Sequence, residues 1–227
     1  MKKFAVIGLG RFGRKLAATL TMSEAEVIAI DQNREIIEEI RDEVTHAVRL
    51  DSTDEDALRA QGIDKVNVAI VGIGQGGRGF ESSTLTVVNL KAMGVPHIYA
   101  RAESLIQGQV LSKVGATEVI YPEIESAQRW AYKLLTPQIS DKIDLAPGYS
   151  LASVIAPASY HGKTVLDLQF RQKYGVNLVS IKRGEKAEGV KQKGEIINVP
   201  LPDTVIYEDD ILMIAGSDED LARLPQE

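Results

Sequence analysis

The sequence predicts an α/β protein: a doubly wound parallel sheet followed by a second, smaller α+β domain. Three observations predict it. Short apolar runs alternate with helical patterns six times between residues 3 and 135. The first strand runs straight into Gly8-Leu9-Gly10-Arg11-Phe12-Gly13. After Thr136-Pro137 the rhythm changes to strand candidates with two helical patterns among them.

Lys3-Phe4-Ala5-Val6-Ile7 reads as a buried strand, and the glycine turn follows at once. A helical pattern covers 11–22. The next apolar run, Glu26-Val27-Ile28-Ala29-Ile30, ends in Asp31. Further strands are expected at 45–50, 66–71, 97–100 and 118–121, with helices at 33–42, 54–60, 81–93, 103–114 and 123–135. Asn33 is a candidate cap for the second helix, and Ser52 or Thr53 for the third. Pro122 suits the first turn of the sixth. Lys91-Ala92-Met93-Gly94-Val95-Pro96 reads as a helix end with glycine at the stop. Gly72–Phe80, with four glycines in the six residues 74–79, is expected to be a flexible connector. The boundaries expected are 1–136 for the first domain, 137–148 for a linker with two prolines and a glycine, and 149–227 for the second domain. In the second, strands are expected at Ser150–Ile155, Asn177–Lys182, Ile196–Val199 and Asp210–Ala215, and helices at Thr164–Tyr174 and Asp218–Leu224.

Strand, glycine turn, helix, strand and acid together form a nucleotide-binding fingerprint of the Rossmann type. Gly8 permits the tight turn. Gly10 removes a side chain where the backbone approaches a diphosphate. Gly13 lets the helix pack against the strand. The helix N-terminus presents free N–H groups and a positive dipole end. Asp31 lies 18 residues beyond Gly13, close to the spacing of about 20 expected of the acid that holds ribose hydroxyls. Its competing role is to cap the turn into Asn33. An acid here disfavours a ribose 2′-phosphate and hence NADP, although Arg34 lies close by. Arg11 is placed to reach phosphates; otherwise it is a solvated arginine. Phe12 and Gln32, the chain neighbours of Arg11 and Asp31, join the candidate binding set. Asp51, Ser52 and Thr53 end the third strand, at the edge where ligands sit, and are candidates for the side of the adenine. Arg101 and Glu123 end the fifth and sixth strands at the same edge. They are candidates for phosphate, and for ribose or a phosphate-bound cation, with surface roles as the competing reading.

Composition narrows the function classes. The chain has 227 residues, 44% hydrophobic and 26% charged, and a net charge of −6. Without a basic arm or patch, nucleic-acid binding has no electrostatic support. No apolar stretch approaches the roughly 20 residues that cross a bilayer, and Met1-Lys2-Lys3 is not followed by the apolar core of a signal peptide. A cytoplasmic location is therefore expected. The absence of cysteine excludes disulfides, thiolate chemistry and cysteine-ligated zinc. His46 and His97 fall in expected strands, where packing is the expected role, and His161 falls in a turn. With no Tyr-x-x-x-Lys pair and no metal-ligand spacing of histidines, an NAD-dependent oxidoreductase is the weaker alternative.

The residues also resemble a known family. Ala5–Gly13, Ile30-Asp31, Thr45-His46-Ala47-Val48, Ser83-Thr84-Leu85-Thr86, Val114-Gly115-Ala116 and Tyr121-Pro122-Glu123 resemble the RCK proteins, regulators of potassium conductance, and among them the cytoplasmic subunits of bacterial Ktr/Trk potassium uptake systems. Leu166-Asp167-Leu168, Arg171–Gly175 and Asp209–Gly216 resemble the C-terminal domain of that family. The resemblance implies an N-terminal domain that binds ATP, ADP or NAD(H) through Gly8, Gly10, Arg11, Gly13, Asp31, Asp51, Ser52 and Thr53. It implies Arg11 near the terminal phosphates and Glu123 as a carboxylate linked to a divalent cation. It also implies a crossover helix at Glu123–Leu135, an octameric ring beneath a membrane potassium channel subunit, and in some relatives cyclic di-AMP at the C-terminal domain, near Leu166–Tyr174 and Asn177–Ser180. A nucleotide sensor for another cation transporter is the neighbouring alternative. The long Gly74–Gly79 stretch departs from the family pattern.

Overall fold

Strands buried on both faces must be apolar at nearly every position, and the central strands here meet that demand. The computed structural model describes residues 2–74, 79–135, 139–184 and 194–225. These divide into two compact units, Met1–Ala127 and Gln128–Glu227. The expected boundary at 136 closes the sixth helix, whereas the division by packing falls inside that helix.

The first unit runs β1 (Lys3–Ile7), α1 (Arg11–Met22), β2 (Glu26–Asp31), α2 (Arg34–Ile40), β3 (His46–Arg49), α3 (Glu55–Ala60), β4 (Val68–Val71), α4 (Gly79–Ala92), β5 (His97–Arg101), α5 (Leu105–Val114) and β6 (Glu118–Ile120); α6 (Pro122–Leu135) begins in this unit and ends in the second. The strands form a parallel sheet in the order β3-β2-β1-β4-β5-β6. Strand alternation sends Ala5 and Ile7 to one face and Val6 to the other. Ala5, Ile7, Ile28 and Ile30 pack with Val87 and Leu90 of α4 and Leu111 of α5. Val6, Val27 and Ala29 pack with Ala17 of α1 and Ile37 and Ile40 of α2. The chain reverses direction between β1 and β4, and the C-terminal ends of those strands open the ligand crevice of such sheets.

Asn33 caps α2, accepting from Glu35 N. The cap of α3 corrects an expectation: Asp54 accepts from Ala57 N there. Ser52 is instead turned inward against Thr86, and the Thr53 hydroxyl donates to Asp51. His46 and His97 do lie in strands, but as their exposed first residues. A first strand position at a sheet end need not be covered by the flanking helices. Of the expected Gly72–Phe80 connector, Gly79 and Phe80 begin α4, and residues 75–78 lie outside the described set.

The second unit contains β7 (Ile139–Ala146), β8 (Tyr149–Ile155), α7 (Val165–Leu168), α8 (Phe170–Tyr174), β9 (Asn177–Lys182), β10 (Ile196–Ile197), β11 (Ile211–Ser217) and α9 (Asp218–Ala222). The strands pair antiparallel in the order β10-β9-β11-β8-β7. Val154, Phe170, Leu212, Ile214 and Leu221 form the core, and the Tyr160 and Phe170 rings stand edge to face with their centroids 5.6 Å apart. Of the linker expected at 137–148, residues 137 and 138 lie outside the described set, and β7 corrects the stretch Ile139–Ala146, which is a strand. Pro147 and Gly148 form the turn of the β7–β8 hairpin, with Gly148 at φ 74°. Proline followed by a glycine of positive φ suits a tight turn as well as a linker. The helix expected at Thr164–Tyr174 is two helices, broken at Gln169, whose φ of 49° is left-handed. A capping box between Thr164 and Asp167 sets the start of α7.

Two polar networks hold this unit. Arg183 and Asp210 form a buried ion pair, with Asp210 fully covered. Asp210 also accepts from Tyr207 N at 2.8 Å and Gly184 N at 3.2 Å, and Arg183 donates to Val205 O at 2.9 Å. On β7, Lys142 Nζ lies 3.0 Å from both Asp144 and Asp218, and 4.5 Å from the Tyr132 ring centre. Burial opposes the Lys142 charge, but the hydrogen bonds to the two carboxylates outweigh it and raise its pKa. The Lys142 hydrogen bond, and then that of Ser150, lowers the pKa of Asp144. The signs follow from linkage. A raised lysine contributes fully below its ordinary pKa of about 10.4, and its contribution is lost as pH rises through the folded value. A lowered aspartate contributes above about pH 4 and is lost as pH falls through the folded value. The network should therefore keep a constant stabilising effect between about pH 5 and 9. Lys142→Met should reduce the acid-side decline of the unfolding midpoint, measured by circular dichroism from pH 2 to 7.

Candidate functional site

The geometry of the glycine turn follows from backbone crowding. Gly8 has φ +88°, its N–H bonds Ile30 O at 2.8 Å, and an added Cβ would lie 2.6 Å from Ile73 N. Only glycine tolerates that combination. At Gly13 a Cβ would collide with the carbonyl oxygen of Gly8, so α1 can approach β1 only through glycine. Gly10 is different. It is the N-cap of α1, in extended backbone, and a Cβ there would meet nothing within 4 Å. The space in front of it is a cleft.

Asp31 ties this turn to the next one. Its Oδ2 accepts from Leu9 N at 2.8 Å, and its Oδ1 accepts from Asn33 N at 2.8 Å. One carboxylate thus fixes both loops, so the capping role considered in the sequence is real. A carboxylate has about four lone-pair sites, so these two bonds leave acceptor capacity for a ligand.

The cleft has a volume of about 340 Å³ and is bounded by Gly8, Gly10, Asp31, Gln32, Asp51 and Ser52, with Ile36, Leu50 and Ile73 as apolar walls. Six of the sequence-selected residues therefore converge on one cavity. The others lie elsewhere. Arg11 is exposed on the first turn of α1 and makes no ion pair among the described residues. The Phe12 side chain packs against the core on the α1–α2 face of the sheet, so this residue faces the turn with its backbone N–H. Gly13 is buried behind the turn. Arg34 points to solvent beside Glu38, at 3.8 Å. Thr53 is held by Asp51 through both its backbone N–H, at 3.0 Å, and its hydroxyl, at 2.8 Å. Arg101 and Glu123 meet each other, at 2.6 Å, with Glu103 3.4 Å from Arg101. The apolar walls were not singled out in the sequence, because an isoleucine that faces a cavity has the same pattern as one that faces a core.

The N-terminus of α1 is uncapped by any side chain. Arg14 N is the donor that bonds back to Gly10 O, which leaves the N–H groups of Arg11, Phe12 and Gly13 ahead of the helical ladder. The first turn contains no acid and carries Arg11. A cation at the positive end of a helix dipole is unfavourable on its own, and an anion in front of it reverses the sign. The donor set therefore fits a diphosphate, and the cleft beyond it fits a nucleoside. Among the described residues no group of three or more His, Asp or Glu side chains is arranged to hold a metal ion.

Comparison with known proteins shows the family. A TrkA-N domain matches residues 4–122, and a TrkA-C domain matches residues 151–225. The chain belongs to the TrkA family of potassium-uptake proteins. The Ktr system potassium uptake protein C of Bacillus subtilis (strain 168) is 38% identical to this TrkA-family chain over 222 residues, covering 98% of it and 95% of the relative. The Ktr system potassium uptake protein A of the same organism is 34% identical over 226 residues, covering 100% and 96%. Among solved structures, the GsuK RCK domain superposes with a TM-score of 0.64 at 17% identity, covering 98% of this chain and 46% of that one. The second unit thus belongs to the family as much as the first. Among the described residues, no helix of this TrkA-family chain is long and apolar enough to cross a membrane.

Proposed function

We propose that this chain is the nucleotide-binding regulatory subunit of a potassium-uptake system, and that the bound nucleotide gates a membrane channel or transporter partner by changing the conformation of an oligomeric ring. The observation that carries the nucleotide site is the uncapped, arginine-bearing N-terminus of α1 facing the cleft beside Asp31. Family membership carries the potassium system: both Bacillus relatives are potassium uptake proteins matched over nearly their whole length. ATP and ADP are the proposed ligands, and NAD(H) shares the adenosine diphosphate group that the site reads. A solved structure of the GsuK channel, 22% identical with a TM-score of 0.53, is described as bound to NAD.

In this reading Gly8 and Gly10 let the backbone meet the phosphates, Asp31 accepts from the ribose hydroxyls, and the loop at Asp51-Ser52 borders the base. Arg11 reaches the terminal phosphate, and Glu123, held by Arg101 in this structure, is the carboxylate assigned to a phosphate-bound cation. The partners proposed are a membrane potassium channel subunit and further copies of this chain in an octameric ring. Regulation of this kind requires one nucleotide to bind one ring conformation more tightly than the other. The third phosphate of ATP supplies the difference through Arg11.

Thermal-shift titration with ATP, ADP, NAD, NADH and cyclic di-AMP tests the ligand, and light scattering with and without ATP tests the ring. Stabilisation by an adenine nucleotide and a change of assembly are expected; indifference to all five compounds would remove the proposal. Arg11→Ala should weaken ATP about tenfold and ADP less, since a charge-assisted hydrogen bond contributes about 1.5–3 kcal/mol. Equal losses for both would take Arg11 out of the discrimination.

A further inference from the structure

Helix α4 carries a polar stripe that a purely structural helix against a sheet does not need. Ser82, Thr86 and Asn89 are spaced four and three residues apart and so lie on one face. Ser82 borders the cleft. Thr86 is fully buried, and its Oγ1 is 2.7 Å from Ser52 Oγ. Asn89 donates through Nδ2 to Thr53 O at 2.9 Å and lies 3.4 Å from Ser52 O. The loop from Leu50 to Asp54 is therefore fastened to α4 at three points. Two of its residues, Asp51 and Ser52, bound the cleft.

Backbone carbonyls that turn away from water need donors. Here two consecutive carbonyls point at one side chain. Both are acceptors, so the side chain between them must donate, as the amide nitrogen of Asn89 does; a leucine or an aspartate carboxylate of similar size offers no donor. We infer that Asn89 and Thr86 are positioning residues for the nucleotide site: they fix the Asp51-Ser52 wall of the cleft, and affinity for the adenosine part of the ligand depends on them. The inference rests on the reading of the cleft as a nucleotide site. The action is on the Asp51-Ser52 wall of the cleft, which Arg11 does not line, so it affects ATP and ADP alike.

The test measures ATP and ADP dissociation constants by calorimetry, at a temperature well below the unfolding midpoint, for wild type, Asn89→Leu, Thr86→Val and Thr86→Ser. Asn89→Leu and Thr86→Val should each weaken both nucleotides about tenfold, the scale of a buried polar group left unpaired, with the ATP-to-ADP ratio unchanged. Thr86→Ser keeps the hydroxyl and should bind as wild type does. Wild-type affinity in Asn89→Leu and Thr86→Val, or a loss in Thr86→Ser equal to that in Thr86→Val, overturns the positioning role while leaving the nucleotide site intact. Should Asn89→Leu fail to fold, the Thr86 pair decides by itself. Wild-type protein that binds neither ATP nor ADP overturns the nucleotide reading together with this inference.

Discussion

Gly13→Ala should abolish detectable nucleotide binding and destabilise the first unit by roughly 1–3 kcal/mol, the scale of overpacking in a close-packed interior. Two opposing effects set the sign. Alanine favours a helix over glycine by about 1 kcal/mol, which would stabilise α1. Its Cβ, however, would have to displace the Gly8 carbonyl, which is backbone and cannot rotate away. Gly8 is itself bonded to Ile30 O and pressed against Ile73. The collision therefore spreads into the turn that faces the phosphates, and the steric cost wins. Gly10→Ala is the control. It adds the same methyl group at φ −63°, in open space, so the unfolding midpoint should stay near that of wild type while ATP affinity falls, because the methyl projects into the cleft. Thermal unfolding and calorimetry on both variants separate the two causes. Unchanged ATP binding in Gly13→Ala would show that this turn does not form the site.

Asp210→Leu should cost the second unit about 3–5 kcal/mol, the usual consequence of leaving one member of a buried ion pair behind. Asp210 is fully covered and Arg183 nearly so. The carboxylate satisfies the guanidinium and two backbone N–H groups together. Removing it strands a buried cation, which keeps a hydrogen bond to Val205 O and the face of the Tyr207 ring. The pair as a whole is worth much less than this figure, because desolvation offsets most of the attraction. The double variant Arg183→Met/Asp210→Leu should accordingly recover a large part of the loss. Urea denaturation of the single and double variants measures this. A double variant no more stable than Asp210→Leu would show that the packing and backbone contacts, rather than the stranded charge, dominate.

The six-stranded parallel sheet was legible because its signals are local. Each strand is a short apolar run, each helix has its own periodicity, and Asn33 is a cap within two residues of the amide it serves. The cleft was legible at Gly8, Gly10, Asp31, Gln32, Asp51 and Ser52 for a related reason. In a parallel sheet every strand ends at the same edge, so the last residue of a strand predicts its place. β7 escaped because Asp141, Lys142 and Asp144 interrupt its apolar pattern. Those charges are tolerated where Asp218, 74 residues beyond Asp144 in the chain, pairs with Lys142. The cap of α3 was misread because Ser52, Thr53 and Asp54 are all good capping residues, and what removed Ser52 was Thr86 on another helix.

By itself the sequence determined the order of strands and helices in the first unit, the glycine turn and the acid that follows it, because periodicity, backbone sterics and spacing act within a few residues. Only the tertiary structure decided that Arg101 closes on Glu123, that Arg183 is buried against Asp210 and that Asn89 holds the loop beside the cleft. Each of those contacts joins residues more than twenty positions apart. Their meeting is set by the order in which strands pair and by which helix covers which face, and that order is chosen by the packing of the whole core.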